Sequence, residues 1–169
     1  MGVYEFGYTN GIPEETCQQY IAQNPAKFSC SAIQKCMNCE PPIKGNNTQS
    51  HCWAQSNYTS HKVSQYGSVS GAEKMKDEIY ARGPISCGIQ ATLAFDNYSG
   101  GIYSQRLLIP MINHEISVLG WGVENGTEYW IGRNSWGTYW GEYGFFRIKM
   151  HGENLGIETD CTWGVPIIE

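Results

Sequence analysis

Apolar and polar positions are patterned differently in two stretches of this 169-residue chain. From Ser70 onward the spacing is regular. AEKMKDEIYAR (72–82) carries apolar side chains at helical intervals and places Met75, Ile79 and Ala72 on one face. Ser70-Gly71-Ala72-Glu73 fits a capping box, with Glu73 three residues after the Ser70 hydroxyl, and Gly83-Pro84 ends the helix. Five short β-type runs follow: ISCGIQA (85–91), INHEISVLGWG (112–122), EYWIGRN (128–134), GFFRIKM (144–150) and TWGVPII (162–168). Alternation within HEISVLGWG sets Glu115, Ser117 and Leu119 on one face, and Ile116, Val118 and Gly120 on the other. Val123-Glu124-Asn125-Gly126 is a hairpin signal. The pattern predicts an α+β fold: a small antiparallel sheet or barrel with one leading helix over 70–169. Residues 1–69, rich in Cys, Asn, Gln, Pro and Ser, show little periodicity and read as loops.

Cysteine usage adds a constraint on those loops. Of the 7 cysteines, five fall between Cys17 and Cys52, which suggests disulfides and an oxidising route. N-x-[ST] sequons at Asn46, Asn57, Asn97 and Asn125 agree with that route as glycosylation candidates. MGVYEFGYTNG lacks the basic start and apolar stretch of a signal peptide, and no run is apolar enough for a membrane span. The odd cysteine count is a second sign that something has been removed. A zinc site is the rival explanation, with Cys36-x2-Cys39, Cys30, His51 and Cys52 supplying ligands. A second C-x2-C is absent and the sequons oppose a reducing compartment, so no metal and no cofactor is expected. Net charge is −5 with no basic block, which leaves nucleic-acid binding nothing electrostatic to rest on.

The candidate chemistry centres on His114 and on RNSWG (133–137). A lone histidine at a strand end is ordinarily structural. Asn134 changes that reading, because a carboxamide can accept the imidazole N–H and so determine which ring nitrogen acts as base. Trp136, two residues on, can shield that bond from water. Other residues have plainer roles: Met75 fills core, Glu73, Lys74, Lys76 and Asp77 form a solvated helix face, and Tyr129 and Trp130 are strand core. His51 and His61 lie in polar loops without an evident partner, and His151 sits in an exposed turn.

Taken together, GPISCGI (83–89), FDNYSGGIY (95–103), NHEISVLGWG (113–122), YWIGRNSWG (129–137) and WGEYGFFRI (140–148) resemble, in order, the C-terminal half of a papain-type cysteine peptidase. GIPEETC (11–17), Cys36-Met37-Asn38-Cys39, YGSVSGAEKMKDEIYARGPISCGI (66–89) and DCTWGVPII (160–168) resemble its cathepsin X (cathepsin Z) branch of lysosomal carboxypeptidases. The resemblance implies the papain-like fold, mainly its β-rich lobe, with residues 1–69 bridging from a helical lobe that is mostly missing. It implies that His114 is the catalytic histidine, Asn134 its orienter and Trp136 the covering indole. Ile112 and Glu115 then flank the substrate cleft. It implies disulfides Cys17–Cys36, Cys39–Cys52 and Cys87–Cys161, with Cys30 unpaired.

The family nucleophile sits in a C-G-[SA]-C-[WY] motif roughly 130–150 residues before the histidine, whereas His114 has 113 residues ahead of it. Cys52-Trp53-Ala54 imitates part of that motif, but Gln49-Ser50-His51 precedes it and no glycine-rich lead surrounds it. A structural disulfide is the expected role of Cys52. The expectation is therefore a truncated chain that is inactive alone and folds marginally, its missing-lobe interface left as an apolar patch. Its full-length form would act on peptide or protein substrates in the lysosome or outside the cell, with the missing N-terminal portion as a partner. Two further readings stay open: a non-catalytic binding or decoy protein keeping half of the fold, and a small cysteine-rich structural domain.

Overall fold

The computed structural model describes residues 2–17, 19, 31–41 and 50–168. Cys30 and Asn46 lie outside the described residues. In chain order the elements are α1 (Gly2–Thr9), β1 (Ile12–Pro13), α2 (Ala32–Lys35), β2 (Met37–Glu40), β3 (His51–Ala54), β4 (Ser60–His61) and β5 (Val63–Val69). They continue with α3 (Ala72–Arg82), β6 (Ile85–Ile89), α4 (Leu93–Asp96), β7 (Ile102–Tyr103), β8 (His114–Glu124), β9 (Thr127–Arg133), β10 (Phe145–Lys149) and β11 (Cys161–Pro166). The chain forms two compact units, residues 65–165 and residues 2–64 with 166–169.

The larger unit is built on a seven-stranded sheet of order β5-β11-β6-β8-β9-β10-β7. Its neighbours run antiparallel from β11 to β10, and β7 joins β10 in parallel. The β8–β9 hairpin turns at Asn125 and Gly126, both at positive φ (51° and 78°), as a two-residue turn between Glu124 and Thr127 requires. Alternation along β8 is read out as burial: Ile116 and Val118 enter the core while Glu115 and Leu119 face outward. A register shift between Val118 and Gly120 absorbs Leu119 as a bulge. Gly132 has no room for a side chain, since a Cβ there would lie 2.2 Å from Phe146 Cζ.

Helix α3 buries Ala72, Met75 and Ile79, as its spacing predicts, and Gly83 caps it by donating its N–H to Ile79 O at 2.9 Å. The capping box does not form. Gly71, not Ser70, is the N-cap, at φ 84°, and its N–H is used by Glu158 O at 2.8 Å. Glu73 pairs instead with Lys76, one turn on at 3.2 Å, and Lys76 also reaches Glu128 at 2.9 Å. Lys76 is therefore a bridge to the sheet rather than part of a solvated face. The core around this helix includes Cys87, Ile89, Phe95, Val118, Trp130, Phe146, Ile148 and Ile157, with the Cys87–Cys161 disulfide inside it.

In the smaller unit, residues read as loops carry short elements: α1, the β1–β4 pair and the β2–β3 hairpin. Disulfides Cys17–Cys36 and Cys39–Cys52 tie it, the second across directly paired strand positions. They are the pairs that the family resemblance implies, and they occupy Cys36, Cys39 and Cys52 of the rival zinc set. Register also supplies a partner for His51, which faces Glu40 and approaches it at 3.3 Å. His61 lies 3.8 Å from Glu14.

Candidate active site

His114 is the first residue of β8, and Asn134 follows the last residue of β9. Each is held by backbone just outside the hairpin ladder. Asn113 donates its N–H to Ile89 O at 3.0 Å, and its side chain grips Ala91 twice, accepting Ala91 N–H at 2.8 Å and donating to Ala91 O at 3.1 Å. Asn134 N–H continues the β9–β10 pairing by one residue, donating to Gly144 O at 2.9 Å, so the 137–145 turn sets the carboxamide in place. The two side chains then meet, His114 Nε2 lying 2.8 Å from Asn134 Oδ1.

The identity of that oxygen is determined by a second bond. Ser135 N–H donates to the same Oδ1 at 2.8 Å, so an amide turned the other way would bring two N–H groups together. Oδ1 can only accept, hence His114 Nε2 carries a proton, and in the neutral imidazole it is Nδ1 that keeps the lone pair. A neutral imidazole with one nitrogen locked as donor leaves the other as a base. The lock is imperfect energetically. Asn134 Nδ2 is buried with no hydrogen-bond partner among the described residues, a desolvated donor of the kind that costs about 1–3 kcal/mol. Turning the amide would not relieve that cost, because it would break both accepted bonds.

Trp136 stacks on the His114 ring, with centroids 4.8 Å apart and planes tilted by 26°. It rests in turn on an aromatic group: Trp140 at 5.2 Å and the fully buried Phe95 at 6.0 Å. Phe95 also packs edge-on against Tyr103, Trp140 and Phe146. Trp140 Nε1 donates to Asp96 O at 2.9 Å, which pins that group to α4. The indole thus covers one face of the imidazole from a rigid base.

The structure brings His114, Asn134 and Trp136 together, and sets Glu115 and Ile112 beside them. Glu115 follows His114 on the outward face of β8, and Ile112 is 40% exposed over Gly88. Asn57, Asn97 and Asn125 are all exposed. No described cysteine is a free thiol, because all six are paired. Among the described residues no group of three or more His, Cys, Asp or Glu could hold a metal ion, and no described helix is long and apolar enough to cross a membrane. Asn113 and Gln90, whose Oε1 accepts Met111 N–H at 2.8 Å, were not singled out by sequence reasoning. An amide residue directly before the histidine was the available signal.

The model of the papain family cysteine protease matches residues 2–165. The chain belongs to the papain family. It is 48% identical over 174 aligned residues to a protein named cathepsin Z from Onchocerca volvulus, covering 98% of this chain and 53% of that relative. A gut-specific cysteine proteinase of Caenorhabditis elegans is 38% identical over 60% of this chain and 31% of its own length. The chain thus spans about half, or less, of the curated relatives it matches. Two solved structures share the fold, each with a TM-score of 0.70. One is procathepsin B S9 from Trypanosoma congolense, 23% identical over 98% of this chain and 52% of that one. The other comes from work on the mite allergens Blo t 1 and Der p 1, 22% identical over 96% of this chain and 46% of that one.

Proposed function

We propose that this chain supplies the base half of a cathepsin Z-like cysteine peptidase, with His114 as general acid–base, Asn134 as its orienter and Trp136 as the shield of their bond. The observation that carries the reading is the doubly accepted Asn134 Oδ1, which leaves His114 Nδ1 as the basic nitrogen. Nδ1 takes the proton of a cysteine thiol, and the resulting thiolate–imidazolium pair is the resting nucleophile. The thiolate attacks the scissile carbonyl, the imidazolium returns its proton to the leaving amine, and an acyl-enzyme remains. A water deprotonated by the same nitrogen then hydrolyses the thioester.

The thiol is the part that the described residues do not furnish. The six paired cysteines are committed to disulfides, and no C-G-[SA]-C-[WY] motif occurs in the sequence. We place the nucleophile outside these 169 residues, and the chain alone is then inactive. The similarity to cathepsin Z supports carboxypeptidase action on peptides, and the disulfides and exposed sequons support a secretory or lysosomal setting with glycans on the chain.

The test combines the chain with a separately supplied segment bearing the family nucleophile motif, using a peptide substrate and a thiol-directed covalent inhibitor. The chain alone should give no turnover. The combination should give inhibitor-sensitive hydrolysis that His114→Ala lowers by roughly 10²–10⁴-fold. Turnover by the chain alone would overturn the placement of the thiol. Inert combinations in which both parts are folded would leave the family fold as a non-catalytic binding protein.

A further inference from the structure

The dipeptide Asn-Gly occurs twice in the chain, at Asn10–Gly11 and at Asn125–Gly126. In such a pair the side-chain carboxamide and the following backbone nitrogen can react with each other, because glycine adds no side chain to hinder the approach. The structure gives the two copies opposite surroundings. Asn10 directly follows α1, and its Nδ2 donates to Phe6 O at 3.4 Å. The Gly11 N–H donates to Gly7 O at 3.1 Å, and Gly11 is buried, where a Cβ would lie 2.2 Å from Ser60 Oγ. Both reacting groups of that copy are engaged.

Asn125–Gly126 is the tip of the β8–β9 hairpin and stands open to solvent. Both residues are exposed, and a Cβ on Gly126 would meet nothing within 4 Å. Among the described residues, neither the Asn125 carboxamide nor the Gly126 N–H has a hydrogen-bond partner. Bringing Asn125 Cγ to the Gly126 nitrogen therefore displaces no partner of either group, whereas at Asn10–Gly11 two bonds must open first. Asn125 also heads the sequon completed by Thr127, so its Nδ2 is the atom that a glycan would take. Asn10 heads no sequon, since Ile12 stands in the third place.

We propose that Asn125–Gly126 is a self-modifying site, at which the Gly126 nitrogen attacks Asn125 Cγ and releases the carboxamide nitrogen as ammonia. The Gly126 nitrogen gives up its proton and bonds Cγ, the Cγ–Nδ2 bond breaks, and ammonia leaves with that proton. A cyclic succinimide remains. Water then opens the ring at either carbonyl, giving aspartate or its β-linked isomer, and no oxidant or reductant takes part. Each product places a new carboxylate beside Glu124, whose own carboxylate is bonded to Arg147. The β-linked product also adds a main-chain carbon to the turn that sets the Glu124–Thr127 pairing. A glycan on Nδ2 blocks the first step, so glycosylation and deamidation are exclusive fates of one nitrogen. The assignment does not depend on His114 being a peptidase base.

The unglycosylated 169-residue chain, its fold verified by a dispersed amide spectrum, is incubated in neutral buffer and sampled by peptide mapping with electron-transfer fragmentation. Asn125 should convert roughly 10–100-fold faster than Asn10, because two hydrogen bonds must open at the second site. In denaturant the two rates should converge. Acidic buffer should slow the conversion, because the attacking nitrogen must shed its proton. In chain produced with glycosylation, molecules bearing a glycan on Asn125 should stay unconverted, and Thr127→Ala, which removes the sequon and keeps the dipeptide, should restore conversion. Equal rates at the two sites in the folded chain, or faster conversion at Asn10, overturn the proposal. So does an Asn125 that stays intact under conditions in which the denatured chain converts.

Discussion

The two compact units are stabilised by different means. Residues 65–165 bury Trp130, Phe95, Phe146, Met75, Val118 and Ile148 completely, and even their disulfide lies inside that core. In residues 2–64 the one described hydrophobic side chain that is buried is that of Cys36, while Val3, Phe6, Tyr8 and Trp53 stay exposed. Both strands of the β2–β3 hairpin are largely open to solvent, and covalent links replace burial. The contrast bears on where the proposed chemistry sits. An imidazole must be held to within tenths of an ångström, and only the packed unit offers the aromatic base and the strand ends to do so.

The largest test of that contrast removes a core aromatic. Trp130→Ala deletes a fully buried indole and the bond from its Nε1 to Glu158, 3.0 Å long. Large-to-small changes of this kind cost about 3–5 kcal/mol. Chemical denaturation followed by the near-ultraviolet signal should show it. A loss below about 1 kcal/mol would mean that the sheet does not pack on Trp130.

A smaller effect is expected from the other unit. Cys39→Ser with Cys52→Ser opens a link of sequence separation 13, for which the chain-entropy account gives about 3 kcal/mol as an upper figure. Because these strands bury little, the loss should be local. Hydrogen exchange should accelerate at 37–40 and 51–54 while amides of β8 and β9 keep their protection. Equal loss in β8 would show that the two units share one cooperative transition.

The same contrast governs what could be read from the sequence. In 65–165 helix α3 and strands β6, β8, β9, β10 and β11 were legible, because each buries one face and burial leaves a period in the sequence, whereas β5 (Val63–Val69) lies in the stretch read as loops. The meeting of Asn134 and Trp136 with His114 was legible as well, since the proposed pairing of a base with its orienter restricts the residue types. Pairings that depend on register were not. Nothing local announces that Glu40 faces His51, that Asn113 grips Ala91, or that Lys76 reaches Glu128 across 52 residues. The cap of α3 went wrong for a related reason: the Gly71 N–H is claimed by Glu158, a residue far along the chain. In 2–64, where little is buried, periodicity had nothing to report.

The weakest effect compares two carboxylates within the packed unit itself. Glu142 is held below the usual carboxylate range, first by its hydrogen bonds to Arg147 and also by the Gly101 N–H. Its folded-state affinity for a proton is below that of the unfolded chain, so its contribution is complete above the ordinary carboxylate pKa and is lost as pH falls through the lowered value. Glu115 has the opposite sign. Its pKa is raised by desolvation and by Asp160, so its contribution is present while it is protonated and is lost as pH rises through the raised value. Relative to the native chain, Glu142→Gln should therefore lower Tm at neutral pH and leave it unchanged in strong acid. Glu115→Gln should raise Tm at neutral pH and converge on the native curve as pH falls. Melting curves collected from pH 3 to 7.5 resolve the two signs, and parallel curves for both variants would show that neither carboxylate differs from its unfolded state. A residue that destabilises the fold in its charged form and stands beside the proposed base is the pattern expected where stability has been yielded to function.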